Sequence, residues 1–134
     1  MANFRLEVVT PTRKIMDKEI DFLMIRTTEG DMGILANHSP LVAELATGEM
    51  KARINGAEEF YYVSGGFMEI SNNKVTILAD EAMDVREIDV ELARKEALVA
   101  QERLDKITED REFALVQKTL SQALAKVRIA EKNL

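Results

Sequence analysis

The sequence predicts an α+β fold: an N-terminal antiparallel β-sandwich followed by a C-terminal antiparallel two-helix hairpin. Three observations predict it. All six glycines and both prolines of the 134 residues fall within positions 1–66. Short runs that alternate apolar and polar fill the same stretch, and beyond Ile88 the apolar spacing changes from two to three and four. The domains are therefore expected at 1–86 for the sandwich and 87–134 for the hairpin.

Taken in order, Phe4-Arg5-Leu6-Glu7-Val8 alternates as a half-buried strand does, and Ile20-Asp21-Phe22-Leu23-Met24-Ile25 reads as a second such run. Gly30-Asp31-Met32-Gly33-Ile34-Leu35 and the following Ala36-Asn37-His38-Ser39-Pro40-Leu41 form a shaped turn and corner. Pro40 fixes its own φ and biases Ser39 towards extended geometry. Asn55-Gly56 separates Met50–Ile54 from Phe60–Val63, a hairpin signal because a type I′ turn needs positive φ at both central residues. Ser71-Asn72-Asn73 marks another reversal, between Phe67–Ile70 and Val75–Leu78. Gly65-Gly66 invites comparison with a phosphate-binding loop, but strand-like Phe67–Ile70 follows it and no helix, so a structural turn or bulge is the better reading. Eight to ten short strands in about 85 residues are expected to pack as two sheets.

Beyond Ile88, Ala93, Ala97, Ala100, Leu104 and Ile107 form one helical stripe. Phe113, Val116, Leu120, Ala123, Val127, Ala130 and Leu134 form a second. Asp84 or Asp89 can cap the first helix, and Thr108, followed by Glu109 and Asp110, the second. The segment Lys106–Asp110 is expected to turn the chain back on itself. Three alanines on the first stripe let the helices approach closely without binding them strongly. A buried methyl contributes about 0.8 kcal/mol against about 1.5–3 for a buried Leu or Val. The hairpin is thus expected to be detachable from itself or from the sandwich.

Composition narrows the function classes. There is no Cys, which excludes disulfides and thiolate metal sites and fits a reducing compartment. No apolar run is long enough to span a bilayer and no charged-then-apolar leader opens the chain, so a soluble, non-exported protein is expected. The net charge of −6 argues against a nucleic-acid partner. That acidity is uneven: residues 1–87 carry 9 basic and 15 acidic groups, whereas 88–134 carry 9 of each.

No residue pattern supplies catalytic machinery. His38 is the single histidine and has no nucleophile or ligand partner by any motif, so it reads as a hydrogen-bonded corner residue or as a surface contact. The neighbouring acids Asp80/Glu81 and Glu58/Glu59 point to opposite faces if they lie in strands, and so do not readily converge as acid and base. From Phe113 onward the charges are Lys118, Lys126, Arg128 and Lys132 against Glu131, either a solvated face or a docking face. From the tail alone, a coiled-coil adaptor is also open.

Three segments, in order and at matching separations, carry a resemblance: Val8-Val9-Thr10-Pro11, the Gly30–Leu41 stretch, and Tyr62-Val63-Ser64-Gly65-Gly66-Phe67-Met68-Glu69-Ile70. Together they resemble the epsilon subunit of bacterial F-type ATP synthases, and the helical tail matches in length and placement. The resemblance implies a non-catalytic rotor subunit of the central stalk, without a cofactor of its own. In that role the sandwich clamps the gamma subunit and the membrane c-ring and helps couple ion translocation to ATP synthesis. It implies that Glu29, Asp31 and His38 are candidates for polar contacts with the ring. It also implies that the extended hairpin inserts beside the catalytic alpha and beta subunits and blocks hydrolysis, with Lys118, Lys126 and Arg128 as candidate contacts. The location implied is the cytoplasmic face of the bacterial cell membrane, peripheral and without insertion.

Several members of that family bind ATP through an Ile/Leu-Asp-x-x-Arg-Ala motif at the start of the first helix. Here Asp89 and Ala93 match, but Leu92 holds the arginine position, and Arg94 lies about 200° around the helix from it. Gln122 and Lys126 stand where further arginines are expected on the second helix. Asp89 is therefore either an ATP ligand or simply an N-cap carboxylate. The alternative function is an ATP-sensing binding module of the same fold.

Overall fold

A computed structural model of the chain describes residues 2–133. The strands are β1 (Phe4–Val9), β2 (Lys14–Ile20), β3 (Phe22–Thr27), β4 (Gly30–Ile34), β5 (Leu41–Glu44), β6 (Gly48–Ile54), β7 (Ala57–Ser64), β8 (Phe67–Ser71), β9 (Lys74–Leu78) and β10 (Glu81–Asp84). A single 3₁₀ turn (Val85–Glu87) precedes α1 (Val90–Leu104) and α2 (Asp110–Lys132). The chain divides into two compact units, one ending at Asp84 and the other beginning at Val85.

In the first unit, sheet I has the strand order β2-β1-β9-β8-β5 and sheet II the order β10-β7-β6-β3-β4. Pairing is antiparallel except between β1 and β9, which run parallel because β9 returns to the N-terminal strand from a distant part of the chain. Alternation decides which side chains enter the core. Phe4, Leu6 and Val8 of β1 point inward and meet Met68, Ile70, Val75 and Ile77 of sheet I and Leu23, Ile25 and Met50 of sheet II.

Both asparagine turns take the positive φ that the sequence demands. Asn55 and Gly56 stand at φ 51° and 83°, and Asn72 and Asn73 at 52° and 58°. Gly66, at φ 91°, passes so close to β9 that a Cβ on it would overlap the Leu78 carbonyl. It is a structural glycine.

The run Ile20–Ile25 is two strands and not one. β2 ends at Ile20 in sheet I, and β3 begins at Phe22 in sheet II. The alternation slips a register there, so that Ile20, Leu23 and Ile25 are all buried. Asp21 makes the crossing, its carboxylate accepting the Asn55 N–H at 3.0 Å. Likewise, Gly30–Ile34 is a strand, and the corner proper is confined to residues 35–40.

In the second unit, α1 and α2 pack along Ala97, Ala100, Leu104, Val116, Leu120 and Ala123, with Ile107 at the turn. The stripe runs as the spacing requires except that, among the described residues, Phe113 is exposed, Ile107 and Val127 are half-buried, and Ala125 and Ile129 are buried off it. Leu134 lies outside the described residues. The cap of α1 is Asp89, whose side chain accepts the Leu92 N–H at 3.0 Å. Thr108 does not cap α2. Glu109 occupies that position without a side-chain bond, and Asp110 and Glu112 supply the acidic first turn instead.

Candidate functional site

The outer face of sheet I is divided into a charged half and an apolar half. Towards β2 it carries a ladder of ion pairs. Arg5 Nε donates to Asp17 at 2.6 Å, and Lys14 Nζ lies 2.8 Å from Glu7 and 3.3 Å from Asp17. Register places Glu7 directly opposite Asp17, a repulsive pairing on its own. Lys14 bridges the two and removes the repulsion. The Lys14 hydrogen bond holds the Glu7 carboxyl below its ordinary range, and Arg5 chiefly does the same for Asp17.

Towards β5 the same face turns apolar. Val42, Phe67 and Leu78 are 68%, 55% and 58% exposed. Phe67 lies opposite Leu78 on β9 and opposite Glu44 on β5, and Val42 is the next outward residue of β5. Val9, half-buried, pairs with Leu78 on the other side. Three exposed apolar side chains gathered on one face make this corner a candidate docking surface. Burying each in an interface contributes about 1.5–3 kcal/mol.

The sequence-derived ring contacts do not form one site. Glu29 stands at the β3–β4 tip, beside the β5–β6 connection and the Gly65-Gly66 turn, since Thr28 N bonds Glu44 O and Leu45 N bonds Gly66 O. His38 lies beyond the other end of β4, next to the Asn72-Asn73 turn, where Asn37 N–H donates to Asn73 Oδ1 at 2.7 Å. The full length of β4 separates them, about 13 Å at strand rise.

Asp31, opposite Arg26 in the register, is held by it at 2.6 Å and 3.4 Å. Glu29 and Glu44 form no ion pair among the described residues. They flank a cleft of about 230 Å³ between the edge strands β4 and β5, floored by Met32, Leu41 and Ala43. Thr27 shapes its rim by donating to Gly30 O at 2.8 Å and accepting the Glu29 N–H at 3.1 Å. His38 keeps to its own corner, its Nδ1 2.8 Å from Ser39 O.

On the hairpin, Arg94 bridges its own helix and the other. It bonds Glu91 at 2.8 Å and Glu131 at 3.1 Å, and near the turn Arg103 approaches Glu112 at 3.6 Å. Leu92 lines a groove of about 330 Å³ with Val99, Ala100 and Val116, between Lys95, Glu96 and Arg103. An apolar wall thus stands where the nucleotide motif asks for an arginine. Lys118, Lys126 and Arg128 do not share a face: at about 100° per residue they spread over about 160° of α2. Among the described residues no group of three or more His, Cys, Asp or Glu side chains is placed to hold a metal, and no helix is long and apolar enough to cross a membrane.

Sequence reasoning missed the apolar corner, although its signal was present. If Met68 and Ile70 face inward, Phe67 shares the outward face with Glu69; if Val75 and Ile77 face inward, Leu78 shares it with Thr76. The Asn73 and Arg94 bridges had no such signal, because both join residues distant in the chain.

Comparison with known proteins agrees with this geometry. Residues 3–85 match the family model of the ATP synthase delta/epsilon chain β-sandwich domain. The sodium-ion-specific ATP synthase epsilon chain of Propionigenium modestum is 58% identical over 132 residues, covering 98% of this chain and 96% of that one. The ATP synthase epsilon chain of Nitratidesulfovibrio vulgaris (strain DP4) is 38% identical over 127 residues, 95% of each chain. Among solved structures, a chain of the Euglena gracilis mitochondrial ATP synthase (OSCP/F1/c-ring, rotational state 1) is 28% identical with a TM-score of 0.72, over 98% of this chain and 79% of that one. A chain of the Tetrahymena thermophila mitochondrial ATP synthase central stalk and c-ring shares the fold at a TM-score of 0.58 and 16% identity, over 96% and 94%. The family match over the sandwich and the near full-length identity to epsilon chains lead to one conclusion: this chain belongs to the ATP synthase delta/epsilon family, as an epsilon chain, a subunit of the synthase and not its catalytic chain.

Proposed function

We propose that this chain is a rotor subunit of the central stalk that couples ion translocation through the c-ring to ATP synthesis, and that its hairpin restrains ATP hydrolysis. The observation that carries the rotor reading is the apolar corner of Val42, Phe67 and Leu78. The gamma subunit would cover it, with the charged ladder setting the edge of the interface. Ring contact is assigned to the Glu29 end, where two unpaired carboxylates flank an apolar cleft suited to a basic loop. Asp31 would act there through Arg26, whereas His38 stands at the other end of β4, beside the Asn72-Asn73 turn. The complex would lie at the cytoplasmic face of the bacterial membrane, with this chain peripheral.

The inhibitory reading rests on the thin, alanine-rich seam between α1 and α2 and on the basic character of α2. Opened, α2 would place Lys118, Lys126 and Arg128 against the alpha and beta subunits from several sides. The test is ATP hydrolysis by F1 carrying the full chain or a chain ending before Ile88. A large rise on truncation supports the brake. Unchanged hydrolysis, with the sandwich still bound, leaves a coupling clamp only. Replacing Phe67 by Glu in the full chain tests the docking face separately: F1 should lose the subunit.

A further inference from the structure

Residues 35–40 carry the chain from β4 in sheet II to β5 in sheet I and have no regular structure. This crossover delivers β5, and with it Val42 and Glu44, to the edge of the apolar corner. Its own Leu35 is 63% exposed, and Asn37 takes a left-handed φ of 62°. Ala36 packs against the core, and the remainder of the segment lies mostly at the surface.

One side chain from another turn ties it down. Asn73 Oδ1 accepts the Asn37 N–H at 2.7 Å, while Asn73 Nδ2 donates to Asn3 O at 2.9 Å. The Asn73 carbonyl in addition accepts the Arg5 N–H at 3.3 Å. The amide group thus joins the crossover, the start of β1 and the β8–β9 turn. Its own φ of 58° is a conformation that Asn adopts more readily than most residues.

We infer that Asn73 is a positioning residue of the docking face: its amide fixes the crossover and so sets the line on which β5 meets a partner. The inference rests on the reading that the Val42–Phe67–Leu78 corner docks the rotor. A flexible crossover would leave β5 paired to β8 but would oblige the partner to order residues 35–40 on binding.

The test uses the full chain with Asn73→Gly, which keeps the left-handed backbone and removes the amide, and Asn73→Asp, which keeps an acceptor for Asn37. In Asn73→Gly, exchange of the Asn37 amide should quicken by about five- to tenfold, the factor expected for losing one net hydrogen bond. Rebinding to epsilon-depleted F1 should weaken by a similar factor, and Asn73→Asp should restore most of the Asn37 protection. Unchanged exchange in Asn73→Gly overturns the inference. So does faster exchange with unaltered F1 binding, when Phe67→Glu abolishes that binding. If Phe67→Glu itself leaves binding intact, the docking reading has failed, and the positioning role falls with it for that separate reason.

Discussion

The sandwich and the hairpin are built from different amounts of apolar material, and that difference matches the proposed division between a clamp and a moving part. The sandwich core is lined by Ile, Leu, Val, Met and Phe from both sheets, with Leu6, Ile20, Leu23, Ile34 and Ile77 wholly buried. Among the described residues the two helices bury Ala93, Ala97, Ala100, Leu104, Val116, Leu120, Ala123, Ala125, Ile129 and Ala130, six of the ten alanine, with the Arg94–Glu131 pair exposed at the open end. At about 0.8 kcal/mol per buried methyl against about 1.5–3 for a larger aliphatic side chain, the seam holds far less per residue. The proposed clamp and the proposed brake thus differ in the side-chain volume that each buries.

The largest effect that could break this comparison comes from Gly66. With positive φ and no room for a Cβ against Leu78, Gly66→Ala should destabilise the sandwich by about 3 kcal/mol or more. Urea unfolding of the full chain, followed by circular dichroism, measures it. A loss under 1 kcal/mol, marked by an almost unmoved midpoint, would mean that β8 and β9 separate easily and that the sandwich is no rigid clamp.

Next comes a matched pair of core truncations. Leu6→Ala should cost about 3–5 kcal/mol, since the residue is enclosed by both sheets. Leu120→Ala, on a seam that is open on one side, should cost about 2 kcal/mol and speed amide exchange in α1 and α2 only. Equal costs, or exchange that quickens in both units, would erase the distinction between clamp and brake.

How much of this was legible in the sequence follows the same division. Turns whose chemistry is local were readable: Asn55-Gly56 and Asn72-Asn73 sit where positive φ is required. The stripe of α1 was readable because a helix repeats its own geometry. The Ile20–Ile25 run misled because alternation is continuous in sequence even where the chain changes sheets, and nothing in the residue order marks the slip at Asp21. The separation of Glu29 from His38 was hidden for a related reason. They are near in sequence, yet the chain between them is an extended strand and not a compact loop. The parallel β1–β9 pair and the Asn73 bridge depend on contacts about 70 residues apart in sequence, which no local pattern encodes.

A smaller effect is expected at the open end of the hairpin. Arg94→Glu replaces attraction to Glu91 and Glu131 by repulsion, so exchange near the start of α1 should quicken. Adding Glu131→Arg should reverse much of that change, and salt should shrink the difference between the variants. Failure of the double variant to recover protection would show that the helices are held by the alanine seam alone.

The smallest expected effect is on pH dependence, and it belongs to the sandwich. Glu7 and Asp17 are held below their ordinary carboxyl values by Lys14 and Arg5 respectively. Folding therefore favours their charged forms. That contribution is complete above the unfolded carboxylate range, about 4, and is lost as the pH falls through the depressed folded values. Stability should accordingly decline on acidification. In Lys14→Met, Glu7 loses its main partner and faces Asp17 without a bridge, so its folded value should rise and the acid-side slope should flatten. Urea midpoints of wild type and Lys14→Met, measured across the acid range, give the comparison. Parallel curves would mean that the ladder is an ornament of the crowded surface, and that the charged half of sheet I contributes no more to the sandwich than the exposed pairs do to the hairpin.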